Sequence, residues 1–300
     1  MVRMTRPAMV VWALLGASAA AQVTSSIELA NQPVPAGGRR IAYGADPLQF
    51  GELRLPAGDG THPVAIVIHG GCWLAKFPNM DDRAVAFDYM RPVAAALTAA
   101  GIATWNIEYR RLGNSGGGWP GTFQDIAHAA DFLRTLATDN RLDLARVIAI
   151  GHSAGGHFAM WLAGRGRLAA TSDLFVADPL PLRGVVDLDG PPDLQATISV
   201  QQPICGSPVI TDLVGGSPAE RPGRYHDGSP IELLPLGVRQ ELFIGKMFAE
   251  QAAPYQAAAT RAGDAVQATV LPEAGHFVFV DPKSEVWPGI VASARSLLGL

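Results

Sequence analysis

Charge is scarce in this sequence. Only 17% of its 300 residues are Asp, Glu, Lys or Arg, and the formal net charge is −4. Acidic and basic residues are interspersed, so the chain lacks the basic stripe that marks a nucleic-acid-binding protein. It also lacks a phosphate-binding or dinucleotide-binding glycine motif and any cluster with metal-ligand spacing. We therefore expect neither a nucleic-acid partner nor a cofactor or metal.

Long apolar runs are also missing. No run of 18 apolar residues, the length that crosses a membrane, follows the N-terminal segment. That segment has two arginines, an apolar run at 8–15 and small residues at 17–21, which is the pattern of a secretory signal. The sequence predicts a signal peptide over 1–21, cleaved after Ala21 or Ala19, and a secreted or periplasmic protein with no membrane span. A buried N-terminal helix is the alternative.

Cysteine is nearly absent, since the chain has two, Cys72 and Cys205. In an oxidising compartment the two thiols could form a disulfide between two loops that follow different strands. Two separate buried thiols explain the sequence equally well, because pairing requires a proximity that sequence does not reveal. Both possibilities stay open.

Apolar segments with strand and helix character alternate along the chain. A hydrophobic content of 48% is enough for one large core. Continuous apolar runs predict buried strands, and alternating strands and helices predict a mostly parallel sheet covered on both faces, an α/β fold. The predicted strands are 48–55, 64–68, 102–109, 146–150, 184–188, 241–245 and 266–271, and the predicted helices are 81–100, 122–138, 157–164, 251–262 and 284–298. We expect an irregular leader over 22–45, a single domain over 46–300, and a cap of short helices over about 190–236, because long Pro/Gly-rich loops in compact domains are usually functional.

The chemistry centres on a Gly-x-Ser-x-Gly motif at residues 151–155. A buried strand precedes the motif and an apolar helix follows it. This strand–turn–helix context forces the serine into a cramped turn and exposes its hydroxyl. Ser153 is therefore the candidate nucleophile.

A serine hydroxyl needs a neighbouring base to act as a nucleophile. His276 follows the last predicted strand in a Gly-His-Phe turn, so both residues lie at carboxyl ends of strands, where ligands bind in such sheets. We expect His276 to be the base. His152, inside the serine motif, is expected to have a structural or supporting role.

These motifs resemble those of the α/β-hydrolase superfamily, and the resemblance covers essentially the whole mature chain. Within it the sequence is similar to the branch of BD-FAE-type esterases, arylformamidases and acylaminoacyl-peptidase-like hydrolases. The matching segments are 69–73 (His-Gly-Gly-Cys-Trp), 151–156 (Gly-His-Ser-Ala-Gly-Gly), 215–218 (Gly-Gly-Ser-Pro), 229–230 (Ser-Pro) and 271–277 (Leu-Pro-Glu-Ala-Gly-His-Phe). The resemblance implies an oxyanion hole formed by backbone N–H groups at Gly70, Gly71, Cys72 and Ala154.

The acid of the expected triad departs from the family pattern. Phe248 stands where the resemblance would place an Asp, and the loop around it is shorter than usual. Asp189, which ends the apolar strand 184–188, is the first candidate. Glu250 is the second, although acidic residues favour the first turn of a helix for electrostatic reasons alone. Asp193, Asp187 or no acid at all are the remaining possibilities.

The expected function is a secreted serine hydrolase that cleaves a carboxylic ester through an acyl-enzyme. The partner is then a small-molecule ester or amide. Cleavage of small amides or peptides is the alternative within the same resemblance. A binding protein that has lost catalysis is a further alternative, supported by the missing Asp segment.

Overall fold

The computed structural model describes residues 25–77 and 80–300. The predicted signal peptide 1–21 lies outside this part of the chain. Every predicted strand is present, together with one strand near the N-terminus that was not predicted. The strands are β1 (Arg39–Ala42), β2 (Phe50–Arg54), β3 (His62–Ile68), β4 (Ala103–Ile107), β5 (Leu142–His152), β6 (Gly184–Leu188), β7 (Arg239–Ile244) and β8 (Val266–Val270).

The strands form one sheet in the order β1-β2-β4-β3-β5-β6-β7-β8. β1 and β2 pair antiparallel, β2 is antiparallel to β4, and all pairs from β4 through β8 are parallel. Central strands are apolar on both faces. In β3, Val64 and Ile66 face one core and Ala65 and Val67 face the other, because successive side chains point to opposite sides of a sheet.

Ten α-helices cover the described sheet. They are α1 (Ser26–Ala30), α2 (Arg91–Ala99), α3 (Gly121–Asp131), α4 (Leu133–Asn140), α5 (Ala154–Gly164), α6 (Leu194–Cys205), α7 (Val209–Val214), α8 (Pro222–Gly228), α9 (Ala249–Ala262) and α10 (Trp287–Leu298). Helices α1, α2 and α10 pack on one face, and the others pack on the opposite face. The result is the predicted α/β architecture, with helices on both sides of the sheet. In the described part of the chain no helix has the length and apolarity needed to cross a membrane.

Two of the predicted helices are divided into shorter helices in the structure. Residues 81–100 contain two 3₁₀ helices, Asp82–Val85 and Phe87–Met90, before α2 begins. Pro92 fits only the first turn of a helix, so α2 starts at Arg91. The predicted helix 122–138 is two helices, α3 and α4, separated at Phe132 without the Pro or Gly that would announce a break.

The segment 22–45, predicted to be an irregular leader, also differs from the prediction. Where the structure describes it, the segment contains α1 and β1. The side chain of Ser25 caps α1, and Leu29 is fully buried beneath it. β1 pairs with β2 at the edge of the sheet and is mostly exposed, so it has no apolar run from which to predict it.

The predicted cap between β6 and β7 consists of α6, α7, α8 and the 3₁₀ helix Pro230–Leu233. A disulfide joins Cys205, the last residue of α6, to Cys72 in the loop after β3. The bond closes a sequence separation of 133 residues. The structure thus resolves the open question about the two cysteines in favour of pairing, and it fastens the cap to the sheet.

Candidate active site

Ser153 lies on a sharp turn between β5 and α5. Its φ of 57° and ψ of −124° are unusual for a residue with a side chain. The turn is possible because glycines flank it: a Cβ on Gly151 would lie 2.0 Å from the Gly155 carbonyl oxygen, and one on Gly155 would lie 2.1 Å from the Ile68 carbonyl oxygen. Ser153 is 8% exposed and borders a cavity. This is the geometry expected of a nucleophile elbow.

His276 follows β8 and is held by Asp189. The His276 Nδ1 and an Asp189 carboxylate oxygen are 2.6 Å apart, and the other oxygen of this carboxylate accepts the Gly245 N–H at 2.9 Å. Asp189 is fully buried, whereas the His276 side chain is 13% exposed. Because a carboxylate only accepts, Nδ1 carries the proton and Nε2 is left to accept another. Across the described residues, the His276 Nε2 and the Ser153 hydroxyl have no hydrogen-bond partner.

The other acid candidates lie elsewhere. Glu250 is exposed in the first turn of α9. Asp193 caps α6 by accepting the Ala196 N–H. Asp187 is buried and accepts the Gly190 N–H, and burial, followed by the charge of Asp189, raises its pKa well above the ordinary value. The ring centroid of Phe248, at the place where the family pattern has Asp, is 6.4 Å from that of His276.

The loop after β3 has an unusual backbone. Gly71, Cys72 and Trp73 have φ values of 103°, 52° and 57°. Only five described non-glycine residues have positive φ, and four of them lie in this site: Cys72, Trp73, Ser153 and Asp189. Such conformations cost about 1–3 kcal/mol each and persist where the surroundings enforce them. The backbone strain is therefore concentrated at the candidate site.

The expected donor at Gly70 is corrected. Its N–H donates to the Tyr89 hydroxyl and is not available to a substrate. Gly70 is instead needed for close approach, since a Cβ there would lie 2.6 Å from the His152 carbonyl oxygen and 2.7 Å from the Ser153 Cβ. The N–H groups of Gly71, Cys72 and Ala154 make no hydrogen bond to any described residue and remain as candidate donors.

Two supporting residues, Glu108 and Tyr89, were not foreseen from the sequence. Glu108 accepts from His69 at 3.0 Å and from the Tyr109 N–H at 2.8 Å, which fixes the start of the loop after β3. Tyr89 contacts Gly70 and lies 3.0 Å from the His152 Nδ1. The sequence carries no spacing signal for these contacts, because Tyr89 and Glu108 come from separate elements.

Two cavities at the candidate site share one lining residue, Phe248. The one beside Ser153 has only about 10 Å³ accessible to water, roughly one water molecule. The walls of this narrow cavity are mainly apolar and include Trp73, Ile204, Val209 and the disulfide. The second cavity, of about 430 Å³, lies between α6 and α9 and has both apolar and charged residues, among them Asp193 and Glu250. Phe248 lines both cavities. Nowhere in 25–77 or 80–300 do His, Cys, Asp and Glu side chains form a group able to hold a metal ion.

The sheet order, the serine elbow after β5 and the histidine after β8 define an α/β-hydrolase fold. The BD-FAE family model, which describes a family of this type, matches residues 52–237. The chain therefore belongs to the BD-FAE family. A comparison with curated protein sequences finds no match.

Solved structures of esterases share this fold. Esterase B from Lactobacillus rhamnosis superposes with a TM-score of 0.74 at 20% identity, covering 91% of this chain and 90% of that one. A truncated carbohydrate esterase from gut microbiota gives 0.70 at 20% identity, with 89% and 98% coverage. A butyrate-bound esterase from Thermogutta terrifontis gives 0.67 at 16% identity, with 88% and 94% coverage. At these identities the similarity establishes the common fold.

Proposed function

We propose that the protein is a serine esterase that cleaves carboxylic esters through an acyl-enzyme. The observation that carries this proposal is the buried Asp189 carboxylate bound to the His276 Nδ1, next to the elbow that bears Ser153. The His276 Nε2 bonds to no described residue and can accept a proton. The contact between Asp189 and His276 supports a carboxylate partner for this histidine although Phe248 stands at the usual Asp position, and it therefore counts against a catalytically inactive binding protein. Membership of the BD-FAE family and the esterase names of the structural neighbours favour an ester over an amide.

In the proposed reaction the Ser153 oxygen attacks the ester carbonyl carbon while the His276 Nε2 accepts the proton of the Ser153 hydroxyl. The oxygen that becomes negative is bound by the N–H groups of Gly71, Cys72 and Ala154. His276 then protonates the leaving alcohol, and the same steps with water release the acid and restore Ser153. Asp189 keeps the proton on Nδ1 and stabilises the imidazolium that forms during each step.

The proposed substrate has a short acyl group. The narrow cavity beside Ser153 has room for roughly a methyl group or one water molecule. The wider cavity beyond Phe248 can receive the alcohol part of the ester. An acetyl ester fits this division better than an ester of a long or aromatic acid.

We also propose that the protein is exported. The signal pattern in the first 21 residues and the Cys72–Cys205 disulfide support the same conclusion, because disulfides persist mainly in oxidising compartments.

A fluorophosphonate probe tests the proposed nucleophile. It is expected to attach to the wild-type protein in a one-to-one ratio, and peptide mass spectrometry should locate it on Ser153. The Ser153→Ala variant, folded as judged by circular dichroism, should remain unlabelled and should not cleave p-nitrophenyl acetate. A folded wild-type protein that is not labelled, or is labelled at another serine, would refute the proposal.

Acyl-chain selectivity tests the proposed substrate class. Forcing extra methylenes into a filled cavity costs about 1–3 kcal/mol, so kcat/KM should fall about tenfold or more from p-nitrophenyl acetate to the hexanoate. Ile204→Ala, which enlarges the narrow cavity, should restore hexanoate cleavage selectively. Ile198→Ala, a change of the same size on α6 at a residue that does not line this cavity, is the matched control. Equal rates for both esters in the wild type would contradict the acyl-size assignment.

A further inference from the structure

We infer that Tyr89 and His152 are positioning residues that fasten the proposed oxyanion loop to the loop carrying His276. Three hydrogen bonds connect the two loops. The Gly70 N–H bonds to the Tyr89 hydroxyl, this hydroxyl lies 3.0 Å from the His152 Nδ1, and the His152 Nε2 lies 3.0 Å from the His276 carbonyl oxygen. The inference rests on the proposed esterase function.

The donor and the acceptor in each of these three hydrogen bonds can be assigned from the chemistry of the groups. A carbonyl oxygen only accepts, so the His152 Nε2 must carry a proton to bond to His276. In a neutral imidazole the Nδ1 is then an acceptor, and the Tyr89 hydroxyl donates to it. The Tyr89 oxygen in turn accepts from the Gly70 N–H. Each donor meets an acceptor, which leaves one consistent arrangement of protons.

Burial keeps this arrangement in place during catalysis. Tyr89 and His152 are each 1% exposed. Burial lowers the pKa of His152 well below its ordinary value, and the neighbouring charge of His276 lowers it further. The two imidazole centroids are 4.3 Å apart. When His276 gains a proton in the reaction, His152 therefore remains neutral and its hydrogen bonds keep their direction.

These three hydrogen bonds connect the two groups that must be aligned around a tetrahedral intermediate, namely the proposed oxyanion donors and the proposed base. Gly70 directly precedes Gly71 and Cys72, whose N–H groups are the proposed oxyanion donors. Such donors must lie within about 2.7–3.1 Å of the oxyanion, and a displacement of about 1 Å can cost 10²-fold in rate. Tyr89 reaches Gly70 from the 3₁₀ helix Phe87–Met90, outside the two loops it connects. Its hydroxyl thus sets the distance between the proposed donors and the proposed base.

Removal of this hydroxyl tests the inference. Tyr89→Phe should lower kcat for p-nitrophenyl acetate by about 10- to 100-fold and leave KM nearly unchanged, because alignment in the transition state is lost while ground-state binding remains. In a His152→Leu background, where the side chain can neither accept from Tyr89 nor donate to His276, the added Tyr89→Phe change should cause little further loss. This non-additivity is expected only if both residues act through one chain of hydrogen bonds.

Tyr43→Phe is the matched control. Tyr43 is also a buried tyrosine, and its hydroxyl donates to the Glu108 carbonyl oxygen at 2.8 Å. The Tyr43→Phe variant should lose about as much free energy of unfolding as Tyr89→Phe does, as measured by urea unfolding. Its kcat should stay close to that of the wild type. Equal kcat losses in the two variants, or fully additive effects of Tyr89→Phe and His152→Leu, would overturn the inference. An inactive, unlabelled wild-type protein would instead refute the esterase proposal itself.

Discussion

Asp189→Asn is expected to lower kcat by about 10⁴-fold while the protein stays folded. The measurement is steady-state cleavage of p-nitrophenyl acetate, with the midpoint of urea unfolding as the test of folding. This substitution is preferable to alanine because Asn has nearly the same shape and also tolerates the positive φ of 54° at this position.

The expected loss follows from the two oxygens of the carboxylate. An Asn oxygen can still accept the Gly245 N–H, so the side chain keeps its orientation. Its amide group then faces the His276 Nδ1 and donates to it. This forces the proton of the imidazole onto Nε2, which can no longer take the proton of Ser153. The active site retains its shape and loses its base.

Glu250→Gln provides the control for this prediction. Glu250 is exposed, bonds to no atom of His276, and was the second candidate from the sequence. Its kcat should remain close to that of the wild type. Wild-type activity in Asp189→Asn, or a large loss in Glu250→Gln alone, would show that the acid has been assigned incorrectly.

Loss of the disulfide is expected to lower the free energy of unfolding by about 5 kcal/mol in the chain-entropy description, since the loop it closes is long. Cys205→Ala is the variant of choice, because serine would place a hydroxyl at a position that is 6% exposed. Urea unfolding of the oxidised wild type and of the variant measures the difference.

The same variant is expected to lose activity even where it is folded. Cys72 has a φ of 52°, which a residue with a side chain adopts only under constraint, and its N–H is a proposed oxyanion donor. Without the bond to α6, this residue is free to relax toward ordinary backbone angles and to move its N–H. We therefore expect a lower kcat for p-nitrophenyl acetate at denaturant-free conditions.

Dithiothreitol separates the disulfide from other effects of the substitution. Reduction should bring the wild type to the stability and kcat of Cys205→Ala and leave the variant unchanged. If the reduced wild type keeps its original stability, the disulfide does not have the role assigned to it here.

Seven of the eight described strands could be predicted, and the two main catalytic candidates could be named, from the sequence because their signals are local. β3 and β6 are continuous apolar runs, and the turn around Ser153 needs glycines at fixed positions. Asp189 was the preferred acid because a carboxylate that ends an apolar strand has no packing purpose. The structure adds its contact with His276, a residue 87 positions further along the chain.

Other features depend on contacts that have no local signal. The resemblance implies that the Gly70 N–H faces the substrate, but this group donates to the Tyr89 hydroxyl. Tyr89 lies in a segment that the sequence predicts to be one long helix. The side chains of β1 are mostly exposed, and its backbone pairs with β2 at the edge of the sheet. The break at Phe132 follows neither a proline nor a glycine. Each of these features is a property of the assembled chain.

The position of Asp189 has a consequence for how such a site can evolve. The Ser153 N–H bonds to the Leu188 carbonyl oxygen at 3.0 Å, and the Asp189 N–H bonds to that of Phe243 at 2.8 Å. The proposed nucleophile and the proposed acid thus both hydrogen-bond to neighbouring strands, across β5, β6 and β7. The turn after β7 is consequently free of any carboxylate that must be conserved, and Phe248 borders both cavities. Substitution of Phe248 can therefore change which substrates enter without removing any of the proposed catalytic groups, so substrate range can change while the proposed chemistry is kept.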